Sequence, residues 1–242
     1  MVKFNLLKLV IDFGNSRVKL ALFSNKDLVT TKTIKLFSKK EVIGFCGDST
    51  ISSSIYSTVR KLTDSEKTLL SSLNCVELNN DTPLPISSMY ESFVGSDRIA
   101  AVVGATFLFP NKDIWVFDAG SCLTADFIDK EKKYHGGRIT LGLKMRYKAL
   151  SDYTSNLPLI NQQDYTPFKG ENTKNSIVSG VQSGILSEVK TLISEWKKEN
   201  KGFIVLFTGG DVSFFEKELK SSIFADPFLV LKGLNEILDY NE

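Results

Sequence analysis

The stretch Leu6-Leu7-Lys8-Leu9-Val10-Ile11-Asp12-Phe13-Gly14-Asn15-Ser16-Arg17-Val18-Lys19 decides how the chain is read. Its apolar run, Leu6 to Ile11, has the composition of a strand and ends in Asp-Phe-Gly-Asn-Ser. Val18 to Phe23 is apolar again, and Asn25 to Asp27 reads as a turn. The prediction is a strand, a tight turn and a returning strand. Gly14 permits φ > 0, so the N–H groups of Gly14, Asn15, Ser16 and Arg17 can turn toward an anion. Asp12 at the strand end can hold a hydrated Mg²⁺. Taken alone, such a turn is as readily a hairpin with a surface aspartate.

The same unit recurs. Ile114 to Phe117 runs into Asp118-Ala119-Gly120-Ser121-Cys122, followed by the apolar Thr124 to Ile128 and a polar turn from Asp129 to Lys133. A third run, Phe203 to Phe207, ends in Thr208-Gly209-Gly210-Asp211. Two D-x-G-[NS] turns are what clamping a polyphosphate from two sides requires, and the third loop offers a close backbone approach for a nucleoside; together they favour nucleotide binding. The chain contains no G-x-x-x-x-G-K-[ST], which excludes a P-loop, and no G-x-G-x-x-G behind a strand, so a dinucleotide site has no support. The recurrence predicts two related halves, 1–112 and 113–242, each an α/β layer of mixed strands, with a cleft between them.

Helical patterns fall at Asp97 to Phe107, Asn175 to Asn200 and Val212 to Lys220. In the second, Ile177, Val181, Ile185, Val189, Leu192, Ile193 and Trp196 recur at spacings of three and four, the stripe of a core-facing helix. Pro83 to Val94 is irregular, and Tyr153 to Gly170 is polar and interrupted by proline, as a loop would be.

With 242 residues, 42% hydrophobic and 24% charged, the composition is that of a soluble globular protein rather than a disordered or membrane chain. Thirty basic against 28 acidic residues leave a net charge of +2, too small a field to attract nucleic acid or an anionic membrane, so any anionic ligand needs a local site. Cys46, Cys75 and Cys122 form no C-x-x-C pair and are odd in number, which fits a reducing cytoplasm. The apolar run near the start is broken by Asn5 and Lys8 and meets Asp12 without a small-residue cleavage site, so it reads as a strand rather than a leader. The single histidine, His135, leaves Ser-His-Asp chemistry and a zinc cluster without partners and is expected to face solvent on a strand. Trp115 and Trp196 sit in apolar patterns and are expected in the core.

Gly95-Ser96-Asp97-Arg98 opens the first helical stretch. Free N–H groups and the positive end of the helix dipole favour an anionic ligand there, Arg98 adds a bidentate fork, and a carboxylate in that position can take a proton from a hydroxyl nucleophile. The competing reading makes Asp97 a helix-start residue with only a capping and dipole role.

These motifs, in this order, resemble those of the type III pantothenate kinases, a family within the superfamily of acetate and sugar kinases, heat-shock chaperone ATPases and actin. The D-x-G-N-T-x-x-K motif is matched by Asp12, Gly14, Asn15 and Lys19, with Ser16 for threonine; G-x-D-R by Gly95, Asp97 and Arg98; and D-x-G-T-x-x-T-x-D by Asp118, Gly120, Thr124 and Asp126, with Ser121 for threonine. Gly136, Gly137, Ile139 and Gly142 resemble G-G-x-I-x-P-G, with Leu141 where proline is usual. Thr173, Ser176, Ile177, Gly180 and Gly184 match the start of the family's long helix, Thr208-Gly209-Gly210-Asp211 matches its nucleoside-side loop, and Pro227 to Gly233 resembles its closing strand. The segment Tyr90-Glu91-Ser92-Phe93-Val94 is shorter than the family's loop and lacks its proline.

The resemblance implies two actin-like, ribonuclease H-like halves and ATP-dependent phosphorylation of the primary hydroxyl of pantothenate, the entry step to coenzyme A. It implies Asp97 as general base and pantothenate contacts from Gly95, Ser96, Asp97, Arg98, Tyr90 and Thr173, with Thr173 supplied across a homodimer interface. ATP contacts are implied for Asp12, Phe13, Gly14, Asn15, Ser16, Arg17, Val18, Lys19 and Ser121. Asp118 is implied as ligand of a monovalent cation, K⁺ or NH₄⁺, and Mg²⁺ is expected near Asp12. A different reading makes the chain a non-catalytic, nucleotide-binding regulatory accessory protein on the same scaffold; the intact Asp97-Arg98 pair speaks against it.

Overall fold

The computed structural model describes residues 6–90, 94–164, 166, 168–199, 202–220 and 223–242. The first D-x-G turn joins β1 (Leu6–Phe13) to β2 (Val18–Ser24), and β3 (Asp27–Ile34) continues the meander. The chain then forms α1 (Lys39–Cys46), β4 (Thr50–Thr58), α2 (Asp64–Ser72), β5 (Val76–Glu77), β6 (Ser87–Ser88) and α3 (Ser96–Leu108). The first sheet has the order β3-β2-β1-β4-β5, with β1 antiparallel to β2 and parallel to β4. Leu9, Ile11 and Phe13 alternate onto one face of β1 and pack with Leu20, Leu22, Val42 and Leu70. A reciprocal capping box between Thr63 and Glu66 starts α2, and Arg60 grips the same carboxylate through two bonds of 2.7 and 3.0 Å.

The second D-x-G turn joins β7 (Ile114–Ala119) to β8 (Cys122–Ile128), and β9 (Lys133–Leu141) follows. After these come α4 (Leu143–Asp152), α5 (Thr173–Val178), a π-helical turn (Ser179–Ser183), α6 (Gly184–Glu199), β10 (Ile204–Thr208), α7 (Val212–Leu219), β11 (Phe224–Ala225) and α8 (Leu229–Tyr240). The order β11-β10-β7-β8-β9-β6 repeats in its first five strands the plan of the first sheet: a central strand antiparallel to its hairpin partner and parallel to a later strand. The repeat seen in the sequence is therefore a repeat of topology. Ile177, Val181, Ile185, Val189 and Ile193 bury their stripe in this unit's own cluster with Phe117, Phe207 and Phe215. Trp115 stacks on Trp196 at 3.3 Å between ring centroids, both packed against that cluster.

Two expectations require correction. The stretch expected as one helix from 175 begins at Thr173 and is interrupted by the π turn at Ser179–Ser183, where an extra residue per turn shifts the phase of the stripe; residue 200 lies outside the described residues. Its apolar stripe is buried within its own unit, as expected of a core-facing helix. Pro227 to Gly233 is not a strand. The strand there is the short β11, and Val230, Leu231, Leu234, Ile237 and Leu238 have helical spacing and are buried along α8.

Two compact units result. The described residues up to Pro110 join Glu131–His135 and Phe228–Glu242 in the first, while Asn111–Lys130 and Gly136–Pro227 form the second. The boundaries differ from 1–112 and 113–242 at 111–112, which join the second unit, and in two later segments that find partners in the first. Lys133 and Tyr134 pair with β6, and α8 packs on α3, β1 and β4. A Cβ on Gly233 would lie 1.7 Å from the Ala100 carbonyl oxygen, so α8 and α3 touch backbone to backbone. No helix among the described residues is long and apolar enough to cross a membrane.

Candidate active site

In the first unit the end of β1 places Asp12 in register with Lys19 on β2 and Ser57 on β4. The Ser57 hydroxyl donates to Asp12 Oδ1 at 2.9 Å. Burial pushes the Asp12 carboxyl above the ordinary aspartate range, the Lys19 ammonium and the Ser57 hydroxyl pull it back, and the nearby Asp97 carboxylate adds to the rise. Phe13 is buried, Val18 pairs with it across the turn, and Gly14 to Arg17 form the bend between them. A buried carboxylate beside a backbone turn suits a hard cation with its own water shell.

The start of α3 brings the second group of predicted residues together. Gly95 is the N-cap, and the Ser96 hydroxyl donates to the Thr58 carbonyl at 3.1 Å, tying the helix start to the end of β4. Asp97 Oδ1 accepts from the Arg98 backbone N–H at 2.8 Å. The Arg98 side chain is buried, donates from Nη2 to the Tyr134 hydroxyl at 3.0 Å and lies 5.9 Å from the centre of the Tyr90 ring. Tyr90 and Tyr134 are themselves 6.0 Å apart. Tyr90 is thus an aromatic wall beside the guanidinium, while Glu91, Ser92 and Phe93 lie outside the described residues. Sequence reasoning missed Tyr134, whose only local signal is an aromatic residue before His135-Gly136-Gly137; its pairing with Arg98 spans 36 residues. His135 itself is exposed on β9, as expected.

In the second unit Asp118 stands one residue before the end of β7, with Thr124 on β8 and Thr208 on β10 as its register partners. The turn is tightened by the Gly120 N–H donating to the Cys122 carbonyl at 2.9 Å. Gly142 lies so close that a Cβ there would come within 2.4 Å of the carbonyl oxygens of Gly120 and Ser121. Gly209, at φ +99°, brings the third loop onto the same strand end: a Cβ there would lie 2.4 Å from Asp118 Oδ1. The Asp211 N–H donates to the Ala119 carbonyl at 2.9 Å. Burial raises the Asp211 carboxyl and the Lys144 ammonium opposes it. The buried hydroxyl oxygens of Thr124 and Thr208 have no hydrogen-bond partner. Two unsatisfied hydroxyls beside a carboxylate form a donor set of one charge and neutral oxygens, which fits a weakly hydrated monovalent cation. Thr173 is exposed at the first position of α5, whose N-cap Asn172 accepts from the Asn175 N–H at 2.9 Å.

The model of the type III pantothenate kinase family matches residues 8–195. The chain is 40% identical over 240 residues to the type III pantothenate kinase of Phocaeicola vulgatus, covering 98% of this chain and 99% of that one. It is 41% identical over 242 residues to that of Bacteroides fragilis, covering 97% and 98%.

The chain belongs to the type III pantothenate kinases.

Members of this family transfer phosphate to pantothenate, so the chain is a kinase. Among solved structures, a Campylobacter jejuni protein classed with the Baf family of transcriptional activators superposes with a TM-score of 0.65 at 24% identity, over 96% of this chain and 98% of that one. An Arthrobacter polyphosphate/ATP-glucomannokinase superposes at 0.53 and 11% identity over 98% and 100%. At these identities the likeness concerns the fold, which is that of the actin-like kinases. The mixed-sheet α/β architecture expected from the D-x-G repeat is therefore the one observed.

Proposed function

We propose that this type III pantothenate kinase uses Asp97 as general base, Arg98 as the anchor of the pantothenate carboxylate and the Asp12 and Asp118 turns as phosphate cradles for ATP. The observation that carries this reading is the start of α3. There Asp97 is oriented by the Arg98 backbone N–H, and Arg98 is fixed by Tyr134 and Tyr90, so base and anchor leave one helical turn with little freedom left to lose on binding. A buried guanidinium held by a tyrosine hydroxyl supports a carboxylate-bearing substrate. Gly95 and Ser96 add backbone N–H groups at the positive end of the helix dipole. Asp97 accepts the proton of the primary hydroxyl as it attacks, and phosphoryl transfer asks the rest of the site chiefly for alignment and charge neutralisation. Asp12 would hold Mg²⁺, and Asp118 K⁺ or NH₄⁺; bound there, the cations neutralise phosphate charge. The direct test is ADP release with and without pantothenate, in K⁺ and in Na⁺. Release that depends on pantothenate and is faster in K⁺ is expected, and release indifferent to pantothenate contradicts the reading.

The raised Asp12 carboxyl gives a prediction with a definite sign. A folded-state value above the unfolded 3.8 means that stability present at low pH is lost as pH climbs through the window above 3.8 toward the folded value. Asp12→Asn removes that loss and keeps an acceptor for Ser57. Without metal, the variant should be as stable as the parent or more so at neutral pH, with a flatter Tm–pH curve, and its Tm should no longer respond to Mg²⁺. Scanning calorimetry between pH 4 and 8, with and without Mg²⁺, checks this.

The active unit in this reading is a homodimer in which Thr173 reaches the partner's pantothenate. In support, apolar side chains stand exposed in the same unit as Thr173: Phe168 is 99% exposed, Tyr153 89%, and Leu159 and Ile139 62% each. Mixing inactive Asp97→Asn with inactive Thr173→Arg subunits should restore activity, because a heterodimer contains one site with both native residues. No recovery despite subunit exchange, followed by native mass spectrometry, would place both residues in one chain's site.

A further inference from the structure

The polar segment that leads into α5 is tied to that helix and to the π turn by residues at intervals of three. Thr173, Ser176, Ser179 and Gln182 form this row, and the chain before Thr173 runs back along it. At Ser176 the backbone of Gly170 comes so close that a Cβ on the glycine would run into the Ser176 nitrogen. The Ser179 hydroxyl donates to the Phe168 carbonyl at 3.1 Å. Farther on, Gln182 Oε1 accepts from the Gln163 N–H at 2.9 Å, and Nε2 donates to the Thr166 hydroxyl at 2.7 Å. The Tyr147 hydroxyl on α4 donates to the same Oε1 at 2.7 Å, and the Lys217 ammonium on α7 donates to the Asp164 carbonyl at 2.6 Å. Thr173, the remaining member of the row, is exposed. Gln182 is the costly member. Val178, Gln182 and Leu186 recur every four residues and are all buried, so an amide stands where packing alone would place an apolar side chain. A buried amide with its bonds made fixes one arrangement of the groups around it. What this one fixes is the course of the chain from Gln163 and Thr166 toward Thr173.

We propose that Gln182 is a positioning residue for pantothenate binding: it ties the segment before α5 to the π turn and thereby sets where the Thr173 hydroxyl meets the substrate. This inference rests on the reading of Thr173 as a pantothenate contact, and adds the residue that holds it in place. Glutamine suits the role because its oxygen faces two donors, the Gln163 N–H and the Tyr147 hydroxyl, while its nitrogen supplies a donor to Thr166. Leucine has similar bulk but would leave the Gln163 N–H without its acceptor, and the segment would move away from the helix to reach water. Binding would then have to restore the ordered course of the segment, which weakens substrate affinity without touching the proton or the phosphate that is transferred.

The test is steady-state kinetics of the full chain at saturating ATP, with folding followed by calorimetry. Gln182→Leu should raise the pantothenate KM about tenfold while kcat and the ATP KM stay within about twofold of the parent, because positioning is lost and the chemistry is not. Thr166→Val breaks the same link from the segment's side; it should raise the pantothenate KM too, and it carries the test where Gln182→Leu folds poorly. Tyr147→Phe removes a donor from the same amide but leaves the segment tied, so it should lower Tm with the pantothenate KM unchanged. Thr173→Ala should raise the KM as well, and combining it with Gln182→Leu should add nothing further, since both remove one contact. Parent-like pantothenate KM values in folded Gln182→Leu and Thr166→Val, beside a raised value in Thr173→Ala, overturn this inference and leave the Thr173 reading standing. KM increases that multiply in the double variant overturn it in the same way, because Gln182 then acts independently of Thr173. A parent-like KM in Thr173→Ala removes the Thr173 reading and this inference with it.

Discussion

Asp97→Asn is expected to lower kcat by about 10²–10⁴-fold, the usual contribution of a positioned general base, with fold and ATP binding intact. The amide keeps an oxygen for the Arg98 backbone N–H, which Asp97 Oδ1 accepts at 2.8 Å, so the start of α3 should hold its shape. What is lost is the ability to take the hydroxyl proton. The change also removes the negative charge that helps raise the Asp12 carboxyl, so metal and nucleotide affinity should not fall. Steady-state kinetics with a nucleotide-binding titration separate the effects. A correctly folded variant with near-parent kcat would remove Asp97 from the chemistry and leave it the capping role.

Gly209→Ala should cost about 2–6 kcal/mol of stability. Backbone strain at φ +99° contributes about 1–3 kcal/mol. The new methyl would sit 2.4 Å from Asp118 Oδ1 and 2.5 Å from the Ala119 carbonyl oxygen, and such overpacking adds about 1–3 kcal/mol. For a chain of this size the sum corresponds to a fall of roughly 10 °C in Tm. Because the clash is with the carboxylate itself, cation response and turnover should fall with it. Gly210→Ala is the control: a Cβ there meets nothing within 4 Å, so its stability should stay within about 0.5 kcal/mol of the parent. Equal stability of the two variants by calorimetry would show that the loop is free to move away from Asp118.

The elements that could be read from the sequence are those whose cause is local. The run of β1 into Asp12, the run of β7 into Asp118 and the stripe of α6 each follow from apolar spacing and a terminating glycine or carboxylate within a few residues. For the same reason the candidate residues at the start of α3 and in both D-x-G turns could be named from their motifs. The closing segment is ambiguous in sequence because a short apolar run fits a strand as well as a helix; its continuation through Ile237 and Leu238 and its contact with α3 decide for the helix.

By itself, the sequence determined the repeated strand-turn unit, the motifs of the type III pantothenate kinases and the residue types available for base, anchor and phosphate cradle. Tertiary structure alone decided that Tyr134 holds Arg98, that Ser57 donates to Asp12, that α8 belongs to the first unit and that Thr124 and Thr208 flank Asp118. The reason is physical. A turn or a helix start is fixed by interactions within a few residues, and so leaves a pattern along the chain. Strand register joins residues as far apart as Asp118 and Thr208, and the chain carries no mark of that pairing until the sheet has formed.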